Sequence, residues 1–378
     1  MFEKVEKVEK VEKVEKFEKV DPSAGFMVNT GLTEITISRN FNPLPKRPDL
    51  DTPLAAPSPT RHPDPNQGGT MTTLIIGAAG MIGRKIAASL ANEALILADA
   101  VPSDPLPGAE ILTLDLTAPD APARLLATRP ATIYHLAAIV SGEAEADFDK
   151  GYSVNLDSVR ALLDAIRHIP NYHPRLVYAS SGAVFGRPFP DTIPDDFHPV
   201  PLTSYGTQKA IAELLINDYS RRGIIDGVAL RLPTICIRPG LPNRAASSFF
   251  SNILREPLAG RTANLPVPET TRHWFASPSA AVGFFRHAAT MDTAPLATDR
   301  AITVPGLSAT VADQLAALTR AAGPAALNLI TRNPDPAVEK IVLGWALAYK
   351  ATRALDLGFV ADRSFDDIIA AHLAETPA

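Results

Sequence analysis

Cysteine is almost absent: the 378 residues contain one, Cys236. No internal disulfide is possible, and such usage fits a reducing compartment. Long apolar runs are missing as well. No stretch reaches the ~18 uncharged apolar residues that a transmembrane helix needs. Charge of one sign is not in excess, with 36 Lys and Arg against 41 Asp and Glu and a net charge of −5. That leaves no basic footprint for nucleic acid or an anionic membrane. The eight histidines are scattered with no HxxxH or HExxH pair, so no metal site is expected. The N-terminal stretch has no apolar h-region and is rich in Glu, so neither a secretory signal nor a transit peptide is expected. A cytoplasmic location is the expectation that follows.

What is present divides into unlike parts. Residues 3–19 repeat the unit EKV with one variation at Phe17. Each Glu stands four residues before a Lys, as in Glu3/Lys7 and Glu15/Lys19, which supports a solvated helix by ~0.2–0.5 kcal/mol per pair. The apolar residues recur every three positions, so their stripe winds around the helix and offers a partner no lasting seam. Residues 41–70 hold eight prolines and read as a disordered linker. Two readings of residues 1–70 stand beside each other: a docking tail, and a translated upstream repeat without a role, with Met71 as the natural start. The second is preferred.

From Met71 short apolar runs alternate with longer amphipathic ones. The strand candidates are 73–77, 94–99, 110–115, 132–138, 175–181 and 227–233, with helices near 119–128, 147–168 and 204–222. Strands rich in Val, Ile and Leu throughout are expected where both faces of a sheet are covered. The alternation predicts an α/β fold of Rossmann type, a doubly wound parallel sheet over 71–240. After 240 the rhythm changes. Helices are expected at 247–256, 278–289, 309–322 and 365–374, with apolar runs at 301–304 and 326–330. Residues 241–378 are therefore expected to form mainly a smaller substrate-binding cap.

The run LIIGAAGMIG places Gly77, Gly80 and Gly83 between a strand and a helix. One glycine permits a tight turn, one lets backbone approach a pyrophosphate, and one lets helix pack on strand. The helix N-terminus, with Met81 and Ile82, favours the phosphate charge. Asp99 ends the second strand 22 residues after Gly77. A carboxylate there binds both ribose hydroxyls of an adenosine and repels a 2′-phosphate, which selects NAD over NADP. Asp115 ends the third strand candidate, as an adenine neighbour or a plain turn residue.

SYGTQK sets Tyr205 and Lys209 four residues apart on one helix face. An unperturbed tyrosine titrates near 10. An adjacent ammonium lowers that value and makes the phenol a usable general base. Ser180 and Ser181 end the preceding strand, where a hydroxyl can hold a reacting oxygen or merely close the strand. Asn243, Ser247 and Ser248 precede an apolar helix, either as donors to a polar ligand or as helix caps. Arg272 opens an aromatic segment and offers a two-pronged clamp for an anion. His273 reads as a structural hydrogen-bonder, and Cys236 as a small buried hydrophobe.

The ordered set of glycine turn, acidic strand end, HLAA, SSGAVFG and YGTQK is more specific than any member. With it, residues 71–378 resemble an extended short-chain dehydrogenase/reductase of the NAD-dependent epimerase/dehydratase type. The resemblance implies Ser181 as the catalytic hydroxyl, Tyr205 as the base and Lys209 as its partner. It assigns Leu136, Ala137 and Ala138 to a cofactor-lining strand end, Asn155 to a helix asparagine, and Pro233 to the nicotinamide's flank. Phe185 stands where many members have tyrosine. The C-terminal segments resemble the family's sugar-acid dehydrogenases, which implies oxidation of the 2-hydroxyl of a four-carbon aldonate. The alternative is a nucleotide-sugar epimerase or dehydratase that retains its NAD. Members often pair as homodimers through the helices near 147–168 and 204–222.

Overall fold

A computed structural model describes residues 71–240 and 246–375. The readings of residues 1–70 and of Asn243 lie outside the described residues.

The chain opens with β1 (Thr72–Ile76), α1 (Met81–Ser89), β2 (Ala94–Asp99) and β3 (Glu110–Thr113). A short helix, α2 (Ala121–Leu125), leads to β4 (Thr132–His135), followed by α3 (Ser141–Ala146) and α4 (Phe148–Tyr152). A π-turn at Ser153–Asp157 joins α4 to α5 (Ser158–Arg167). Then come β5 (Arg175–Ser181), α6 (Ser204–Arg221), β6 (Asp226–Leu232) and β7 (Thr234–Ile235). The C-terminal part adds α7 (Ser248–Leu258), β8 (Ala263–Asn264), β9 (Arg272–Ala276), α8 (Pro278–Thr290), β10 (Ala301–Thr303) and β11 (Leu307–Thr310). It ends with α9 (Val311–Ala322), β12 (Ile330–Thr331), α10 (Pro336–Val342), α11 (Thr352–Asp356) and α12 (Phe365–Glu375).

Seven strands form one sheet in the order β10-β6-β5-β4-β1-β2-β3, and every pairing in it is parallel. The expected doubly wound sheet is present. Its strand order reverses between β1 and β4, and a crevice opens there at the carboxyl ends. Successive strand residues face opposite layers. Ile75 and Val177 pack with Ile86 of α1 and with Phe284 and Phe285 of α8. Leu74, Ile76 and Leu176 pack with Leu162 and Leu163 of α5 and Ile216 of α6. Burying side chains of this size contributes ~1.5–3 kcal/mol each.

Two expected strands end early. β3 stops at Thr113 and β4 at His135 rather than at 115 and 138. The reason for β4 lies in its hydrogen bonds: the Leu136 and Ala137 amides both turn to the Ile76 carbonyl, at 2.8 and 3.1 Å. The strand leaves the ladder just beneath the glycine turn.

The segments after 240 divide between the two layers. α8 and β10 join the main sheet and its cover. A separate core gathers Phe249, Phe250, Ile253 and Leu254 of α7, Leu315 and Leu318 of α9, and Ile368 and Ile369 of α12. Cys236 and Phe275 lie in that core. It is flanked by a three-stranded sheet, β11-β9-β7, which the apolar periodicity did not indicate because each strand is only two to five residues long.

Candidate functional site

The glycine turn bends around contacts made within the protein. Gly77 has φ +92°, and a Cβ on it would stand 2.6 Å from the Ala137 nitrogen. A Cβ on Gly83 would stand 2.2 Å from the Gly77 carbonyl oxygen, so α1 approaches the turn closely. Gly80 is different. It is exposed, caps α1 without any side-chain hydrogen bond, and would meet only the Gly77 oxygen, at 3.2 Å. The surface over Gly80 is thus smooth backbone beside free helix amides, with Met81 and Ile82 half-buried next to it. That surface fits a pyrophosphate.

Asp99 is wired into the same turn. Its Oδ2 accepts the Ala79 amide at 2.9 Å and its Oδ1 accepts the Val101 amide at 3.3 Å. The carboxylate therefore stands beside the glycine turn. Asp115 takes both the amide and the hydroxyl of Thr117 on Oδ1, at 2.9 and 2.8 Å. Those bonds hold its carboxyl below the usual range and give it a turn-forming role. Leu136, Ala137 and Ala138 are half-exposed along the crevice. Asn155 is buried in the π-turn and clamps that strand end from behind. Its side chain bonds both the amide and the carbonyl of Ile139, at 2.9 and 3.2 Å, and Gln208 at 2.8 Å. It braces the 136–138 strand end through Ile139.

Tyr205 owes its position to the start of α6. Thr203 caps the helix by accepting the Gly206 amide at 3.1 Å. A Cβ on Gly206 would stand 2.2 Å from the Ala183 carbonyl oxygen. Only glycine lets the first turn of α6 rest against the turn that follows Ser181. Tyr205 is thereby brought within hydrogen-bonding reach of the Ser181 hydroxyl. Ser180, one residue earlier, points the other way and is buried on Glu213, to which its hydroxyl donates. Glu213 also pairs with Arg231, at 2.8 Å. The strand's alternation separates a site serine from a structural one.

Lys209 is buried and donates to the Ala179 carbonyl at 2.7 Å. Its ammonium lies 4.5 Å from the centroid of the Tyr178 ring and 5.7 Å from that of Tyr205. Burial lowers its pKa to about 7, opposed by Glu213 one turn further along α6. The expectation that Lys209 lowers the Tyr205 pKa needs correction here. Burial pushes the Tyr205 phenol up, and the opposing influences are the Ser181 hydroxyl and the charge of Arg238. The Lys209 ammonium is committed to a carbonyl, and a buried phenolate is costly.

On the substrate side, Pro233 and Thr234 are half-buried just past β6. The Thr234 hydroxyl lies 2.7 Å from His273 Nε2, and His273 stacks on Phe250 at 5.3 Å. Burial drives its imidazole down to about 3, which fits the structural role expected of it. Ser247 does not cap α7, although it precedes it; its hydroxyl accepts from Arg238 Nη2 at 3.3 Å. Ser248 is buried at the first position of α7. Arg272 is exposed at the start of β9 and donates to the Ser308 carbonyl of β11 at 3.2 Å. Its bonds are to β11, not to the Ser181–Tyr205 pair. Phe185 is buried between Phe197 and Tyr349, with the Arg231 guanidinium 5.0 Å from its ring centroid. The Tyr349 hydroxyl would stand 2.7 Å from a Cβ on Gly182, beside Ser181. Arg238, Glu213, Gly206 and Tyr349 went unread in the sequence. Of these, only Gly206 carried a signal, as the glycine three residues after a capping threonine.

A glycine turn between strand and helix, a carboxylate at the end of β2, and Ser181, Tyr205 and Lys209 lie along the carboxyl edge of one parallel sheet. Residues 73–274 match the NAD dependent epimerase/dehydratase family; the chain belongs to that family, and its cofactor is NAD. Among characterised relatives, the chain is similar to a D-erythronate dehydrogenase of Cupriavidus necator, with 44% identity over 81% of this chain and 98% of that protein. A D-erythronate dehydrogenase of Haemophilus influenzae is 42% identical over 79% of this chain and 98% of its own length. Among solved structures, one described as the nucleoside-diphosphate-sugar epimerase from Agrobacterium tumefaciens superposes with a TM-score of 0.78. It is 52% identical, covering 81% of this chain and 94% of that one.

Two expected outcomes follow from this geometry. Asp99→Asn keeps an oxygen for the Ala79 amide but removes the charge. It should raise KM for NAD by about 10-fold, the worth of a charge-assisted bond, and improve use of NADP. Unchanged preference between the two cofactors would show that Asp99 does not read the ribose. Lys209→Met tests the buried ammonium. The folded-state pKa of Lys209, about 7, lies below the usual lysine value near 10.4. The unfolded chain therefore holds more protons between those limits, and the wild type should gain stability as pH rises through that window. Lys209→Met should flatten this rise in thermal melts of the cofactor-free protein, and melt higher than wild type at pH 7.

Proposed function

We propose that this protein is an NAD-dependent dehydrogenase that oxidises the 2-hydroxyl of a small sugar acid of the D-erythronate kind to a 2-keto acid. The observation that carries the chemistry is Tyr205 set against Ser181 at the mouth of the crevice, with Lys209 one turn behind. The substrate class rests on the two D-erythronate dehydrogenases, which match nearly their whole length.

Ser181 donates to the 2-hydroxyl oxygen and holds it beside Tyr205. Tyr205, as phenolate, takes the hydroxyl proton as C2 gives up its hydride. When bound, oxidised NAD supplies the hydride acceptor and a positive nicotinamide. Lys209, once released from Ala179, offers a donor for a ribose hydroxyl. Pro233 and the 136–138 strand end wall the ring, and Gly80, Met81 and Ile82 receive the phosphates. Such general-base work contributes about 10²–10⁴-fold.

Tyr205→Phe should therefore cut kcat by roughly 10³-fold while NAD affinity, read by fluorescence titration, stays near wild type. Normal turnover by that variant would remove Tyr205 from the mechanism. The substrate is read by screening four- to six-carbon sugar acids for NADH formation. The Agrobacterium relative's name supports a second reading, and turnover of a UDP-sugar without net NADH would favour it.

We further propose a homodimer through α4, α5 and α6. Phe148 and Leu214 are 59% and 67% exposed on those helices, an unusual placement for large apolar side chains. Light scattering should give twice the chain mass, and Leu214→Glu should shift it toward the monomer. A wild-type monomer at micromolar concentration would rule this interface out.

A further inference from the structure

The three buried arginines of the described residues each hold a carboxylate. Arg175 pairs with Asp226 at 2.7 Å, Arg231 with Glu213 at 2.8 Å, and Arg255 with Glu256 at 2.6 Å. This is the usual condition for a cation removed from water. Arg238, on the loop after β7, departs from it. It is half-buried, yet among the described residues no carboxylate lies within 4 Å of it.

Its surroundings hold it rigidly without neutralising it. The Arg238 amide donates to Ser251 at 3.1 Å, and its carbonyl accepts from Arg255 at 2.7 Å. Nε donates to the Ile235 carbonyl at 3.0 Å, and Nη2 to the Ser247 hydroxyl at 3.3 Å. Both partners of the guanidinium itself are neutral oxygens. Burial presses against the charged form, and Arg238 remains near enough to Tyr205 for its charge to bear on the phenol. A preorganised guanidinium, a neighbouring hydroxyl and the catalytic phenol thus share one region.

We infer that Arg238, rather than Arg272, seats the substrate's carboxylate, with the Ser247 hydroxyl as its second donor. This rests on the sugar-acid reading above and specifies how that site selects an acid. Arg272 is the weaker candidate because it is exposed, so water screens its charge. Its guanidinium is bonded to β11, and its charge already bears on Asp313. A carboxylate on Arg238 gives its guanidinium the charged partner that it lacks among the described residues. It also places the carbon next to the carboxyl group, C2, toward Ser181 and Tyr205. A neutral polyol of the same length leaves the guanidinium uncompensated and binds poorly.

The test uses the full chain loaded with NADH, so that binding is read without turnover. D-erythronate and erythritol are titrated by calorimetry against wild type, R238Q, R238K and R272Q, with steady-state kinetics in parallel. R238Q should weaken D-erythronate binding and raise its KM by about a hundredfold, the scale of a lost bidentate charged pair. NADH affinity should not change, and the weak binding of erythritol should not fall further. R238K, which keeps the charge without the fork, should weaken by about tenfold; it carries the comparison if R238Q does not fold. Wild-type affinity in R238Q, or a hundredfold loss confined to R272Q, overturns the assignment. Arg238-dependent binding of D-erythronate without any NADH formation from D-erythronate and NAD overturns the proposed reaction and upholds the anion seat.

Discussion

The first turn of α6 rests directly on the turn that follows β5. A methyl group on Gly206 would stand 2.2 Å from the Ala183 carbonyl oxygen, a distance no real contact tolerates. This approach sets the register between the strand that carries Ser181 and the helix that carries Tyr205, Lys209 and Glu213. It needs no polar bond between those functional groups. Backbone sterics and one capping threonine do the positioning, and the Ser181 hydroxyl also accepts the Ala183 amide at 3.2 Å. Sites built on strands and helices hold their geometry better than sites built on loops.

Behind that contact lies a buried polar chain. Lys209 bonds the Ala179 carbonyl, Ser180 donates to Glu213, and Glu213 pairs with Arg231. Each charge is matched nearby, which is the condition for tolerating it away from water. The alternation of β5 assigns adjacent serines to different tasks: Ser180 joins this chain, and Ser181 faces the crevice. The ammonium of Lys209 is held in place at a cost, since burial favours its neutral form. A site that keeps such a group gives up stability for function.

The sheet and the cap supply different chemistry. The sheet's carboxyl edge carries the glycine turn, Asp99, Ser181 and Tyr205. The later segments contribute Arg238, from the loop after β7, and Ser247, before α7, joined at 3.3 Å. Sheet and cap meet at Pro233 and Thr234, where β6 ends and β7 joins the cap's small sheet. The Thr234 hydroxyl at His273 joins the cap sheet to this point through a second polar bond.

Much of this was legible in the sequence because the signals are local. Apolar runs with flanking helices specified the parallel sheet, and β2 and β5 fall at the predicted residues. The glycine spacing, Asp99 at a strand end, and Tyr205 four residues before Lys209 each follow from the period of a single element. The cap's small sheet was not legible, because strands of two to five residues carry no measurable period. Nor were the partners of the charged groups. Arg272 and Arg238 look alike in sequence, and only the tertiary structure leaves the first in water and the second enclosed by neutral oxygens. The same holds for Lys209, whose ammonium is drawn to a carbonyl of β5, and for Asp115, which turns back on Thr117. The sequence by itself determined the strands and helices of the parallel sheet, since hydrophobic period and turn chemistry act over a few residues. Which charge meets which partner was decided by the packing of segments far apart in the chain, and electrostatics depends on that final distance and burial.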